Sequence, residues 1–310
     1  MGSIEKKGII LAFSTAIISG FAVFMNKFAV GFWDSSSVFT TSKNIIAALF
    51  LTSVIIFFHK LPELRQLSRK NWFKLILIGF VGGSIPFLLF FKGLALTEAT
   101  NAAFIHKTLF IWVTLLALPF LKEKFSKIQF LSLGILIAGV YLFAPPSSFK
   151  LGLGEFLALS ATILWAIENV ISKYTLREVS PSLVGWGRMF FGSIFLLAFL
   201  GITGQISGVL ELSMAKFGWL MLSGFILFGY TTTWYAAIKH ISVTVAASIL
   251  VIAAPITAIL NSIFATRVMP VKIILPTFIM IFGVLFISKL VQNIIHYVKR
   301  KLPKRAHALQ

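Results

Sequence analysis

The feature that most constrains this chain is a recurrence: ten long, nearly uncharged apolar runs, separated by short stretches that hold most of the charge. They fall at about 8–31, 37–58, 72–96, 99–121, 127–145, 154–176, 183–203, 216–238, 244–266 and 271–293. A hydrocarbon layer about 30 Å thick is crossed by roughly 20 apolar residues in helical form, so each run has about the length of one crossing. Lipid offers the backbone no hydrogen bonds, and a helix satisfies its own within each segment. The expectation is an all-α integral membrane protein with ten transmembrane helices, not the two soluble domains that 310 residues would otherwise suggest. With 58% apolar and 12% charged residues and a mean hydropathy of +0.96, the chain has too little polar surface to cover a water-soluble core.

A net charge of +19 raises the question of nucleic acid, but the basic residues sit between the apolar runs, where membrane topology explains them. Sorting Lys and Arg by loop puts nineteen on one side and five on the other, with Lys27, Lys43, Lys107 and Arg188 inside the runs. Cytoplasmic loops carry the excess, so both termini are expected in the cytoplasm, in a multi-pass protein of the cell membrane. The first run follows Glu5, Lys6 and Lys7 without a small-residue cleavage site and reads as a retained helix. Zero cysteines exclude disulfides, thiolate metal sites and a cysteine nucleophile, and the five histidines are scattered. No metal and no cofactor are expected. Paired catalytic carboxylates and a nucleophile with its base are likewise not visible, so the chain is read as not an enzyme.

The chain repeats itself. A shift of 146 places Gly8, Leu11, Ala12, Ser14, Ile17 and Lys27 on Gly154, Leu157, Ala158, Ser160, Ile163 and Lys173. At 145, Ser37 meets Ser182, Lys43 meets Arg188, and Leu75, Gly79 and Phe80 meet Leu220, Gly224 and Phe225. At 144, Thr100, Ala102, Ala103 and Ile105 meet Thr244, Ala246, Ala247 and Ile249, and Gly139-Val140 meet Gly283-Val284. Five helices per copy is an odd number, so the copies are expected to cross the membrane in opposite senses, as inverted repeats of secondary transporters do. Three units follow: residues 1–147, residues 148–293 and a basic cytoplasmic tail, 294–310.

On these residues the chain resembles the drug/metabolite transporter superfamily, EamA type, over almost its whole length. The half-repeats Gly8 to Lys27 and Gly154 to Lys173, the aromatic helix ends Phe91-Lys92-Gly93-Leu94 and Tyr235-Ala236-Ala237-Ile238, and the Gly-Val closing helices carry the resemblance. Pro255 and Glu123 stand where the family often places a proline and an acidic residue; Ile111 and Arg267 occupy the counterpart positions in the other half. The run His106-Lys107 is a departure. The resemblance implies export or exchange of small metabolites, amino acids or related compounds, through a basket of helices.

Charged groups within a bilayer are costly and point to function. Lys43 and Lys107 are expected in the outer half, Arg188 and Glu168 in the inner half. Lys43 and Arg188, as repeat partners, would frame a cavity from either side of the midplane and suit an anionic or zwitterionic solute; snorkelling toward the nearer interface is the alternative. Glu168, the sole carboxylate deep in a run, is the candidate for proton coupling or for a structural pair with Arg188. Trp165, Asn169 and Trp186 complete the substrate-binding candidates. The basic run Lys299 to Arg305 is expected against anionic lipid. The function read from the sequence is alternating-access export or exchange of a small polar metabolite, in a monomer or dimer, with proton or solute counter-transport. A broad drug exporter and a lipid-handling membrane protein are the alternatives, and no nucleic acid is involved.

Overall fold

The computed structural model describes residues 2–147, 152–268 and 270–288; the basic tail and the end of the tenth run lie outside the described residues. Among the described residues there are fourteen α-helices, thirteen of them within the ten runs and one, α3, in the loop between the second and third. These are α1 (Ser3–Ala29), α2 (Ser36–Phe57), α3 (Leu61–Arg65), α4 (Arg69–Gly83), α5 (Ile85–Leu96), α6 (Ala99–Lys107), α7 (Leu109–Leu121), α8 (Lys127–Phe143), α9 (Leu153–Thr175), α10 (Pro181–Ile202), α11 (Met214–His240), α12 (Val243–Leu250), α13 (Ala253–Asn261) and α14 (Ile274–Ile287). Among the described residues seven helical stretches are long and apolar enough to cross a membrane: Ser3–Phe32, Ser36–Phe57, Arg69–Leu96, Ala99–Leu121, Leu153–Thr175, Pro181–Ile202 and Val243–Thr266. Lys127–Phe143 and Val271–Ile287 are shorter apolar helices, and α11 has the length, 27 residues, but carries the polar run Tyr230 to Tyr235.

Three runs expected as single helices are broken, each for a local reason. The third breaks at Ser84, two residues before Pro86, whose missing N–H cannot serve the carbonyl of Gly82. The ninth breaks at Val251 and Ile252, where Pro255 likewise leaves the Val251 carbonyl without its helical donor. The fourth breaks at Thr108, the repeat position of Ile252, with no proline in it. There the Thr108 hydroxyl donates to the Ile105 carbonyl at 2.6 Å and accepts from Trp112 Nε1 at 3.1 Å. A hydroxyl competing for backbone does in one half what a proline does in the other.

α7 ends on Lys122 and the second half's counterpart on Arg267, both left-handed at φ 55°. A π-turn, Ser262–Thr266, precedes Arg267 and inserts one residue. Cap geometry therefore pairs Arg267 with Lys122, not with Glu123 as the uninterrupted alignment had it.

Contacts fix the helix directions. Gly8 lies against His240 and Ile241, and Ile18 against Gly229, so α1 and α11 are antiparallel. Gly224 meets Ile46 while Phe50 packs on Phe225 and Phe228, so α2 runs parallel to α11. Trp186 reaches Thr52 and Gly208 meets Val38, which makes α2 and α10 antiparallel. Gly187 meets Leu75 and Gly79 meets Phe191, so α10 runs parallel to α4; Gly82 against Glu168 and Gly93 against Gly154 set the α4–α5 pair antiparallel to α9. Composed, these steps leave α1 and α9 pointing in opposite directions.

The same close approaches recur in both halves. Gly8 seats on His240 and Ile241, and Gly154 on Leu96 and Thr97; Gly79 seats on Phe191, and Gly224 on Ile46; Gly139 seats on Met280, and Gly283 on Leu136. Each second contact is the first with both partners moved by the repeat shift. A side chain at any of these glycines would hold two backbones apart, so the small residue permits the contact. The extensive helix pairs, α1 with α11, α5 with α9, α4 with α10 and α8 with α14, all join one half to the other. The halves interleave around a shared core.

Candidate functional site

The break at Ser84 builds the site. With Pro86 unable to donate, the Gly82 carbonyl accepts Trp165 Nε1 at 3.2 Å and Arg188 Nη2 at 3.3 Å. The adjacent Gly83 carbonyl accepts Asn44 Nδ2 at 3.1 Å. Side chains from α2, α9 and α10 thus converge on two backbone oxygens that a continuous helix would have used internally. Glycines make the approach possible: a Cβ on Gly82 would collide with the Glu168 side chain, and one on Gly83 with the Arg188 carbonyl.

Glu168, on α9, is fully buried. Its Oε1 accepts the Ser172 hydroxyl, one turn on, at 2.5 Å and the Tyr235 hydroxyl of α11 at 2.7 Å. Arg188 Nη1 stands 3.8 Å from Glu168 Oε2 and 3.5 Å from the Tyr235 oxygen. At 3.8 Å the pair attracts electrostatically without a direct hydrogen bond. Glu168 Oε2 and Arg188 Nε are both buried with no hydrogen-bond partner among the described residues. Buried charges are normally saturated with hydrogen bonds because desolvation is expensive. Here one acceptor lone pair and one charged donor stay open side by side, a pair that a polar solute could bridge.

The other sequence-predicted residues divide. Trp165 and Asn169 belong to this node: Asn169 donates to the Trp165 carbonyl at 2.9 Å and accepts Trp234 Nε1 at 3.0 Å, while the Trp165 ring packs on Phe87, Phe90 and His106. Trp186 turns away, donating to Thr52 Oγ1 at 3.0 Å and stacking on Phe190 at 4.6 Å. It lies two residues before Arg188, on another side of α10. Lys43 is buried, its ammonium 5.1 Å above the Phe39 ring, with no ion pair among the described residues. Lys107 is half-buried at the end of α6 and has no hydrogen bond into the node.

Sequence reasoning had Tyr235 only in an aromatic helix end, not among the site residues, and it missed Ser172 and the Gly82 carbonyl. Two signals were present. Ser172 follows Glu168 by four residues, one helical turn, and Pro86 follows Gly82 by four, the spacing that frees a carbonyl.

Comparison with known proteins agrees with this architecture. The profile of the EamA-like transporter family matches the chain twice, at residues 6–144 and 152–289. An uncharacterized transporter, YyaM of Bacillus subtilis, is 24% identical over 294 residues, 92% of this chain and 93% of that protein. An uncharacterized transporter of Methanothermobacter thermautotrophicus is 25% identical over 206 residues, spanning 64% of this chain and 58% of its relative. A crystal structure of a protein 14% identical in sequence superposes with a TM-score of 0.76, over 93% of this chain and 99% of the other, which establishes a shared fold. The chain is a multi-pass membrane protein, and the two matches together cover nearly all of it. It belongs to the EamA-like transporter family.

Proposed function

We propose that this protein is a secondary transporter that moves a small zwitterionic metabolite, an amino acid or a close relative, across the cell membrane by alternating access. The observation that carries the reading is the buried Glu168–Arg188 pair, 3.8 Å apart, with an open acceptor on one partner and an open donor on the other. A carboxylate suits the planar guanidinium of Arg188, and an ammonium suits the free oxygen of Glu168. A solute carrying both closes the gap and satisfies both groups, whereas a lipophilic cation meets the Arg188 charge. Trp165 and Asn169 hold the walls of the site, and Lys43 and Lys107 supply further positive charge along the path.

The reading rests on ten spans arranged as two inverted five-helix repeats, residues 1–147 and 148–293, followed by the cytoplasmic tail 294–310. Three pairs of reciprocal glycine contacts and the opposed directions of α1 and α9 support it. Both termini lie on the Lys- and Arg-rich, cytoplasmic side. Coupling follows from the same site: when Glu168 takes a proton, Arg188 loses its counter-charge and becomes free for a solute carboxylate, so proton and solute compete.

Proteoliposomes decide it. Counterflow of labelled amino acids should be saturable, stimulated by unlabelled solute on the far side, and abolished by Arg188→Ala. An imposed pH gradient should drive uptake in the native protein and not in Glu168→Gln. Transport that survives in Arg188→Ala sinks the site.

A further inference from the structure

The two ends of the molecule are closed differently. At the end holding the start of α1, the last turn of α9 is fastened to the last turn of α11. Lys173 donates to the carbonyls of Ile238 at 2.5 Å and Ile241 at 2.8 Å, and Lys239 donates in return to the carbonyl of Leu176. Each lysine thus occupies the C-terminal end of the other helix, where unpaired carbonyls and the helix dipole favour a cation. Glu123 completes the closure by accepting the backbone N–H of Val243, at the start of α12, at 2.8 Å. α9 packs on both α11 and α12 there.

At the opposite end the equivalent contacts are not made among the described residues. The repeat counterpart of Lys173 is Lys27, in the last turn of α1, and it is exposed, reaching among the described residues only Asn261 Oδ1 at 3.5 Å. α1 has no packing on α5 or α6 comparable to that of α9 on α11 and α12. The counterparts of Ile238 and Ile241 are Leu94 and Thr97, in the final turn and at the C-cap of α5, where position alone deprives carbonyls of a helical donor. The remaining clasp residues have no chemical equivalents: Lys239 corresponds to Ala95, and the cap geometry leaves Glu123 without an acidic counterpart.

We propose that Lys173 and Lys27 are alternate latches of the two access states. In the state seen here Lys173 shuts the basic end; in the opposite-facing state Lys173 lets go, and Lys27 takes the carbonyls of Leu94 and Thr97. The inference rests on the inverted-repeat transporter reading, because exchanging the conformations of the two halves carries the Lys173 contact onto Lys27. A lysine on carbonyls is a releasable fastening, since the ammonium regains water and strong hydration when it leaves. The second latch also works without a partner lysine or a capping glutamate. The chain therefore favours the state closed at the basic end when no solute is bound.

The natural chain has no cysteine, so spin labels can be placed singly and in pairs. One pair, Phe32 and Leu96, reports the end of Lys27; another, Arg177 and His240, reports the end of Lys173. In native protein in liposomes the Arg177–His240 distance should be mainly short and the Phe32–Leu96 distance mainly long. Lys173→Gln should shift the populations by roughly tenfold, lengthening the first and shortening the second, because charge-assisted hydrogen bonds to carbonyls are lost. Lys173→Arg should keep the native distribution. Adding Lys27→Gln to Lys173→Gln should remove the short Phe32–Leu96 population. If that population persists in the double variant, Lys27 is no latch, although alternating access stands. If the two distances never change reciprocally, with solute or in any variant, the inverted-repeat reading itself falls.

Discussion

Arg188 and Lys43 occupy the same position in the two halves of the chain and both are buried, yet their surroundings differ. Arg188 faces a carboxylate, a tyrosine hydroxyl and a backbone carbonyl. Lys43 lies over a phenylalanine ring, and its helix neighbours Thr40, Ser42 and Asn44 each carry a buried polar atom without a hydrogen-bond partner among the described residues. The difference comes from what faces each cation. Glu168 corresponds to Ala22 and Tyr235 to Phe91, so the counter-charge and the hydroxyl that organise one side have no equivalent on the other. Duplication copied the cations, and one half alone acquired an ionic site.

Substitutions can sharpen or break this contrast. The largest effect is expected from Glu168→Ala, which leaves the Arg188 guanidinium buried and uncompensated. A loss of about 3–5 kcal/mol is expected in thermal or denaturant unfolding of the solubilised protein, together with loss of transport. A small loss would show that Arg188 reaches water, and the contrast with Lys43 would dissolve. Gly82→Ala comes next. Its methyl group meets the Glu168 side chain, and displacement of that chain should cost about 1–3 kcal/mol and weaken solute binding. Tyr235→Phe removes one charge-assisted hydrogen bond to Glu168, for about 1.5–3 kcal/mol if nothing replaces it.

Lys43→Met tests the other side. A buried cation without a carboxylate gains little from its place, so stability should change by less than about 1 kcal/mol and even rise. Transport should fall less than in Arg188→Ala. The smallest effect belongs to the loop after α9. There hydrogen bonds from Asn71 and Lys74, and the Lys74 charge 3.4 Å away, hold the Glu178 carboxyl below its ordinary range. A depressed carboxylate stabilises above its unfolded value and loses that contribution as the pH falls through the lower, folded one. Glu178 is half-exposed and solvent screens it, so Glu178→Gln should leave unfolding at neutral pH unchanged within error.

Much of the fold was legible because hydropathy and spacing are local. The ten runs, the repeat and the partnership of Lys43 with Arg188 could be read from residue order, and Glu168 stood out as an acid amid apolar neighbours. Trp186 shows where such reading fails. Its closeness to Arg188 in sequence suggested a shared site, but two residues along a helix turn a side chain by more than half a revolution, toward Thr52 and Phe190. The break at Thr108 was equally hidden, since a threonine in an apolar helix commonly bonds back without interrupting it.

The amino-acid order by itself determined that the chain belongs in lipid, how its copies align, and which few side chains bear charge where charge is expensive. Those are consequences of composition at each point along the chain. Only the tertiary structure decided that Arg188 meets Glu168 while Lys43 meets a ring, that the Gly82 carbonyl is offered to α9 and α10, and that Lys173 is fastened on carbonyls while Lys27 is exposed. The Lys173–Ile238 and Arg188–Gly82 pairings join residues 65 and 106 positions apart, and all of these contacts depend on how whole helices pack. No local pattern encodes that geometry.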